Sequence, residues 1–105
     1  MNAPSKRLQM LEAMIAKGTD DPFVRYARAL ELRGLARPED ALEALREVRT
    51  LHPRYVPSYL MAGQLAVELG RVDDAREWLT HGLEIAKAER DEHARSELQT
   101  ALDAL

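Results

Sequence analysis

An apolar pattern that returns after 34 residues constrains the fold of this chain more than any other feature. Four pairs of residues share this offset: Ala41 and Ala75, Leu45 and Leu79, Val48 and Gly82, and Leu51 and Ile85. Within each half of the pattern the residues are three or four positions apart, so they lie on one face of an α-helix. The pattern therefore predicts successive helical units of one kind, each of which buries its apolar face against the next.

Capping residues and prolines divide the 105-residue chain into six predicted helices. Asp21-Pro22 has the form of an N-cap followed by proline at the first helical position, and Pro38 and Pro57 are expected to open two further helices. We predict one domain with a first helix at about 5–17, a helical hairpin at about 21–53, a second hairpin at about 56–87 and a capping helix at about 91–105. Short connections make neighbouring helices antiparallel, and the expected fold is all-α.

The second hairpin resembles the tetratricopeptide repeat family. Tyr59 stands at the family's large aromatic position and Ala62-Gly63 at its Leu-Gly position. Ala75 and Leu79 stand at the small and the large apolar positions of the second helix. The resemblance implies antiparallel helix hairpins stacked as a short right-handed superhelix, with the first and last helices as flanking caps.

Two positions of the second hairpin depart from the family's pattern, since Ala66 replaces a common tyrosine and Lys87 replaces the closing proline. Gly82 agrees with the pattern, although glycine in a helix interior costs about 1 kcal/mol relative to alanine. We therefore expect Gly82 to lie where two helices approach closely; the alternative is a glycine that the helix tolerates without such a contact. The first and last helices extend the stack to the equivalent of about three hairpins, which repeat proteins generally need for stability.

The first helix of the first hairpin can be aligned with the second hairpin in two ways. Without a gap, Arg25 and Arg28 fall at positions that should be buried. With two extra residues in the turn after Gly34, Phe23 aligns with Tyr59 instead. We expect the second alignment, because burying an unpaired charge costs far more free energy than lengthening a loop.

The resemblance also implies a concave surface lined by the first helix of each hairpin. The residues expected there are Leu60, Gln64 and Val67 in the second hairpin and Val24, Arg28 and Glu31 in the first. This mixture suits a groove for an extended segment or a helix of a partner. Family members that hold a C-terminal carboxylate do so with Lys and Asn, where this chain has Val24 and Leu60, so that mode is not expected. The alternative is that these residues only cover the floor of the stack, under the last helix.

The composition and motifs give no sign of catalysis or of a metal site. Cysteine is absent, His52, His81 and His93 lack metal-ligand spacing, and the acidic pairs stand at helix starts, where carboxylates act as caps. We therefore expect no enzyme activity, no cofactor and no metal. The 15 basic and 18 acidic residues are mixed along the chain, which disfavours nucleic acid as a partner.

The remaining expectations concern location and partners. No apolar run is long enough to span a bilayer and no secretory signal is evident, so we expect a cytoplasmic protein that does not bind a membrane. The leading function is a protein-interaction adaptor that binds a partner segment in the concave groove. The alternative is a homodimer formed through exposed apolar residues such as Met10, Met14 or Leu105. Trp78 is expected to be a packing residue.

Overall fold

The computed structural model describes residues 5–105, and all the regular structure within that range is α-helical. The six helices are α1 (Lys6–Ala16), α2 (Pro22–Gly34), α3 (Pro38–Leu51), α4 (Pro57–Glu68), α5 (Val72–Ala88) and α6 (Glu92–Asp103). Each helix packs on the next along the chain, and α4 also contacts α6. The predicted all-α stack of helix hairpins is confirmed.

The helices begin where the capping residues predict. The Asp21 carboxylate accepts a hydrogen bond from the Phe23 amide at 2.9 Å, and Asp91 accepts one from the Ala94 amide at 3.0 Å. Ser5 caps α1 in the same way. These side chains satisfy amide donors that lack a carbonyl partner in the first turn of a helix.

The core forms where the apolar faces of the two hairpins meet. The largest side chains that are almost completely buried include Leu45, Tyr59, Leu65, Leu79 and Leu98. Tyr59 also donates a hydrogen bond from its hydroxyl to the carbonyl oxygen of Pro53 at 2.5 Å, which ties α4 to the turn before it. The 34-residue pattern thus describes the buried face of the second hairpin correctly.

Three apolar residues expected to face inward are exposed instead: Leu51 of the 34-residue pattern, and Phe23 and Leu30, which stand seven positions apart on one apolar stripe of the second predicted helix. Leu51 is 52% exposed and is the last residue of α3. Phe23 and Leu30 of α2 are exposed as well, while Val24 and Ala27 of the same helix are buried. The buried face of α2 is therefore rotated from the predicted one.

Close helix approach explains the glycines that the sequence pattern singled out. A Cβ atom built on Gly82 would overlap the Cβ atom of Tyr59 and come within 3.1 Å of Leu98 Cδ2. A Cβ atom on Gly63 would overlap the side chain of Leu79. The predicted close contact at Gly82 is confirmed, and it joins α5 to both α4 and α6.

The turns after α2 and α4 have the same geometry at an offset of 34 residues. Ala36 and Gly70 both have a left-handed backbone, with φ of 59° and 74°. The amide of the next residue, Arg37 or Arg71, donates to the carbonyl five residues upstream at 3.0 or 2.8 Å. Both hairpins therefore follow one register without a gap, and the predicted two-residue insertion is wrong.

Ion pairs explain why the gapless register is tolerated. The side chains of Arg25 and Arg28 are only partly buried, with 21% and 26% of their surface exposed. Glu47 of α3 lies 3.5 Å from Arg25 and 3.8 Å from Arg28, and Glu12 of α1 lies 3.5 Å from Arg28. Since both guanidinium groups keep solvent and carboxylate partners, the cost of burying an unpaired charge does not arise.

Candidate functional site

Three adjoining hollows run along the exposed face of α4, between α2 on one side and α6 on the other. Their volumes are about 400, 380 and 400 Å³, and Gln64 lines all three. We refer to this continuous depression as the trough. Its main lining residues are Tyr26, Leu30 and Arg33 from α2, Leu60, Gln64 and Val67 from α4, and Asp91, Ala94, Glu97 and Ala101 from α6 and its cap.

Helix α4 forms the floor of the trough because its two faces differ. Tyr59, Ala62 and Ala66 are completely buried and hold one face against the core. Leu60 and Val67 stand seven positions apart on the other face, with Gln64 between them, so all three project to the same side. The small buried residues let the neighbouring helices approach α4, which places it at the centre of the stack.

Helix α2 supplies the first wall through residues that the sequence analysis missed. Tyr26, Leu30 and Arg33 each stand 34 positions before one of the three predicted residues of α4. All three line the trough. The signal that identifies them was present in the sequence, since the offset that relates α3 to α5 also relates α2 to α4 when no gap is inserted.

The three residues predicted for the α2 wall lie elsewhere. Val24 is buried in a second apolar cluster with Leu11 of α1. Arg28 pairs with Glu12 of α1 and Glu47 of α3. Glu31 accepts a hydrogen bond from Ser5 at 2.9 Å and lies 3.5 Å from Arg7.

The displacement of these residues has one cause. The assumed insertion moved each of them two positions from its place in the repeat, and two positions rotate a side chain by more than half a turn of the helix. Val24, Arg28 and Glu31 therefore face α1 and α3, and they do not line the trough.

Helix α6 supplies the second wall and leaves the floor open. Leu98 is completely buried and packs against Gly82, which fixes the rotation of α6 about its axis. Ala94, Glu97 and Ala101 then face the trough. Leu60 keeps part of its surface and Val67 is 46% exposed. Helix α6 therefore lies beside Leu60 and Val67 and does not cover them.

Charged and polar groups lie along both walls. Arg33 Nη2 lies 2.5 Å from Glu68 Oε1, and Arg33 Nη1 also donates to Gln64 Oε1 at 3.4 Å. Burial raises the pKa of Tyr26, while Arg33 lowers it and Glu97 raises it. The phenol of Tyr26 therefore stays protonated at neutral pH and can donate a hydrogen bond.

A second polar cluster, on the opposite side of the stack, holds α3 and α5 together. The Arg49 guanidinium donates to both carboxylate oxygens of Glu77 at 2.7 and 2.8 Å. It also lies over the rings of Trp78 and Tyr59, 4.7 and 5.5 Å from their centroids. Trp78 is buried, as predicted for a packing residue, and we assign this cluster to stability.

The described residues were also compared with the requirements of a metal site and of a membrane-spanning helix. Within 5–105, no group of three or more His, Asp or Glu side chains is arranged to hold a metal ion. None of the helices α1 to α6 has the length and apolar character that crossing a membrane requires.

Paired helices stacked around an open trough define the class of helical-repeat proteins. A family model described as tetratricopeptide repeat matches residues 32–102. The chain belongs to the tetratricopeptide repeat family. The fold of this family is generally a non-catalytic module for protein interaction.

Solved structures agree with this assignment. The crystal structure of a tetratricopeptide repeat domain protein from Salinibacter ruber is 38% identical in sequence, covers 78% of this chain and 91% of its own, and has a TM-score of 0.74. A solution structure of a tetratricopeptide repeat domain protein from the same organism has a TM-score of 0.75 at 38% identity, covering 78% of this chain and 83% of its own. A Bordetella parapertussis protein solved in solution is 28% identical, covers 99% of this chain and 88% of its own, and has a TM-score of 0.80. No curated protein matches the sequence.

Proposed function

We propose that the protein is an adaptor that binds a segment of another protein along the trough. The observation that carries this proposal is the exposure of large apolar side chains within a concave surface. Leu30 is 41% exposed and Val67 is 46% exposed, and Leu60 lines the first hollow together with Leu30. Apolar side chains grouped in a concavity with a few convergent polar groups are typical of binding sites. The cytoplasmic location expected from the sequence is part of this proposal.

The dimensions of the trough indicate the length of the segment. Helix α4 has 12 residues, which corresponds to a floor of about 18 Å at 1.5 Å per residue. An extended chain advances about 3.3 Å per residue, so five or six residues would occupy the floor.

The polar groups of the trough suit the backbone of such a segment. The Gln64 side chain carries both a donor and an acceptor at the centre of the three hollows. The Tyr26 hydroxyl offers a further donor on the α2 wall. Backbone hydrogen bonds to these groups would orient the segment, while its apolar side chains fill the hollows.

Three leucine variants test the proposal. Leu30→Asn and Leu60→Asn each remove an apolar side chain from the trough without adding charge. Leu51→Asn is the matched control, because Leu51 is 52% exposed at the end of α3 and lies outside the trough. Each variant is used as bait in affinity capture from cell extract, with the helical content checked by circular dichroism.

The expected result is that a partner captured by the wild type and by Leu51→Asn is lost with both trough variants. The bound segment is then mapped and titrated as a purified peptide, and Leu60→Asn should weaken its affinity about tenfold. Equal capture by all four correctly folded baits would exclude the trough as the binding surface.

A second candidate, a homodimer formed through α1, is favoured by one observation. Met10 and Met14 are exposed and lie four positions apart, on one face of α1. Helix α1 packs mainly on α2, so this face lacks a neighbouring helix among the described residues. Analytical ultracentrifugation of the wild type and of Met10→Lys over a wide concentration range tests this candidate, and a wild-type monomer throughout would exclude it.

A further inference from the structure

The charges along the trough do not balance. Arg33 is the only arginine or lysine among the described residues that line it, and its guanidinium is paired with Glu68 at 2.5 Å. Asp91 and Glu97 lie on the opposite wall. Arg95 of α6 does not line the trough and is paired with Glu92 at 2.9 Å. The trough therefore carries a surplus of negative charge.

The pairing of Glu97 does not remove this surplus. His93 Nε2 lies 2.8 Å from Glu97 Oε1, and the imidazole is 89% exposed, so solvent screens the pair. Asp91 accepts a hydrogen bond from the Ala94 amide at 3.0 Å, and this bond brings no positive charge to the trough. Even with His93 protonated, two carboxylates of this wall face one imidazolium.

The first hollow combines this acidic wall with an apolar floor. Tyr26, Leu30 and Leu60 line the same hollow as Asp91 and Glu97. Tyr26 of α2 and Glu97 of α6 line opposite sides of this one hollow, so the two walls stand near each other at this point. A cation that enters here meets a carboxylate and the face or hydroxyl of a tyrosine, both of which attract it.

We infer that the segment bound in the trough is basic, with a lysine or arginine that pairs with Glu97 beside an apolar side chain that fills the first hollow. This inference rests on the proposed function and adds the chemistry of the partner. An acidic segment, or one held by its C-terminal carboxylate, would meet two carboxylates and an arginine already paired with Glu68. Bringing the carboxylates of such a segment next to the carboxylates of the trough would cost free energy, because like charges repel and both would lose water. An acidic segment is therefore disfavoured.

A phage-displayed library of random short peptides, selected on the immobilised full chain, tests the composition of the segment. Each enriched clone is also tested on Leu60→Asn, and only clones that lose binding there are analysed. The expected result is enrichment of lysine or arginine next to an apolar residue. A second selection on Glu97→Lys should reverse the preference towards aspartate or glutamate.

A matched pair of charge variants tests the role of Glu97 itself. An enriched peptide is synthesised and its affinity is measured by fluorescence anisotropy at low and high salt. Glu97→Gln should weaken binding about two- to fivefold at low salt, the range for one exposed ion pair, and should reduce the salt dependence. Glu84→Gln removes the same charge from an exposed site on α5, outside the trough, and should leave the affinity unchanged.

The outcomes separate this inference from the proposed function. Acidic or uncharged peptides that require Leu60 would overturn the inference and retain the trough as a binding site. Basic peptides that bind Glu97→Gln as tightly as Glu84→Gln would also overturn it. If no enriched clone depends on Leu60, both the inference and the proposed function fail.

Discussion

Adding one methyl group at Gly82 tests the close packing of α4, α5 and α6. In an ordinary helix interior, replacing glycine with alanine stabilises the folded state by about 1 kcal/mol. At Gly82 the new Cβ atom would overlap the Cβ atom of Tyr59. Since a Cβ atom moves only with its backbone, rotation of the tyrosine side chain cannot relieve the overlap, and α5 must move away from α4.

The cost of overpacking at Gly82 exceeds the gain in helix propensity, so the sign of the change in stability can be predicted. Overpacking a well-packed core costs about 1 to 3 kcal/mol, and a contact between two backbone-fixed atoms belongs near the upper end. After subtracting the gain in helix propensity, Gly82→Ala should lower the free energy of unfolding by about 2 kcal/mol. For a domain of this size that corresponds to a fall in Tm of roughly 10 °C.

Gly34→Ala provides the matched control. Gly34 is the last residue of α2, and an added Cβ atom would meet no other atom within 4 Å. This variant should be more stable than the wild type by about 0.5 kcal/mol, because it only restricts the unfolded chain.

Urea unfolding supplies the measurement. It should be followed by circular dichroism and by the fluorescence of Trp78, whose ring lies 5.9 Å from that of Tyr59 and reports on the same contact. If Gly82→Ala matched or exceeded the wild type in stability, the argument that helix approach requires glycine there would be refuted.

Three further predictions concern single positions, and each is checked by urea unfolding. Ala36→Gly should stabilise the protein and Gly70→Ala should destabilise it, each by about 1 kcal/mol, because both positions are left-handed; equal effects of the same sign would contradict the shared turn geometry. Ser58 is completely buried and its hydroxyl has no hydrogen-bond partner among residues 5–105. Ser58→Ala should therefore leave the free energy of unfolding unchanged or raise it by about 1 kcal/mol. A clear loss of stability would reveal an overlooked partner. The hydrogen bond from Arg49 lowers the pKa of Glu77 from its usual value, so Glu77→Gln should cost under about 1 kcal/mol at neutral pH. This cost should vanish as acid protonates the wild-type carboxylate, and a difference that persists in acid would contradict the linkage.

The helices and the second hairpin follow from the sequence because their signals are local. Asp21 and Asp91 cap helices through amides two or three residues away, so no other part of the chain is needed to recognise them. Gly82 is also informative in the sequence, because glycine destabilises a helix interior and its presence there indicates that another helix packs closely against it.

The placement of the first hairpin's residues was decided by tertiary contacts. Burying the charges of Arg25 and Arg28 without partners would cost much free energy, so the sequence favoured a two-residue insertion. That insertion places the predicted groove residues two positions before Tyr26, Leu30 and Arg33. The carboxylate of Glu47 that makes those positions acceptable belongs to α3. Its proximity to α2 exists only after the hairpin has formed.

The helical repeat, the helix boundaries to within a few residues and the α4 side of the trough could be read from the residues alone. Which face of α2 forms the wall of the trough, and that α6 bounds the trough without covering it, became clear from the packing of the helices. The difference lies in the distance over which each interaction acts. Capping and helix propensity depend on atoms within one turn of the helix, whereas the exposure and ion pairing of a side chain depend on which other helix lies against it.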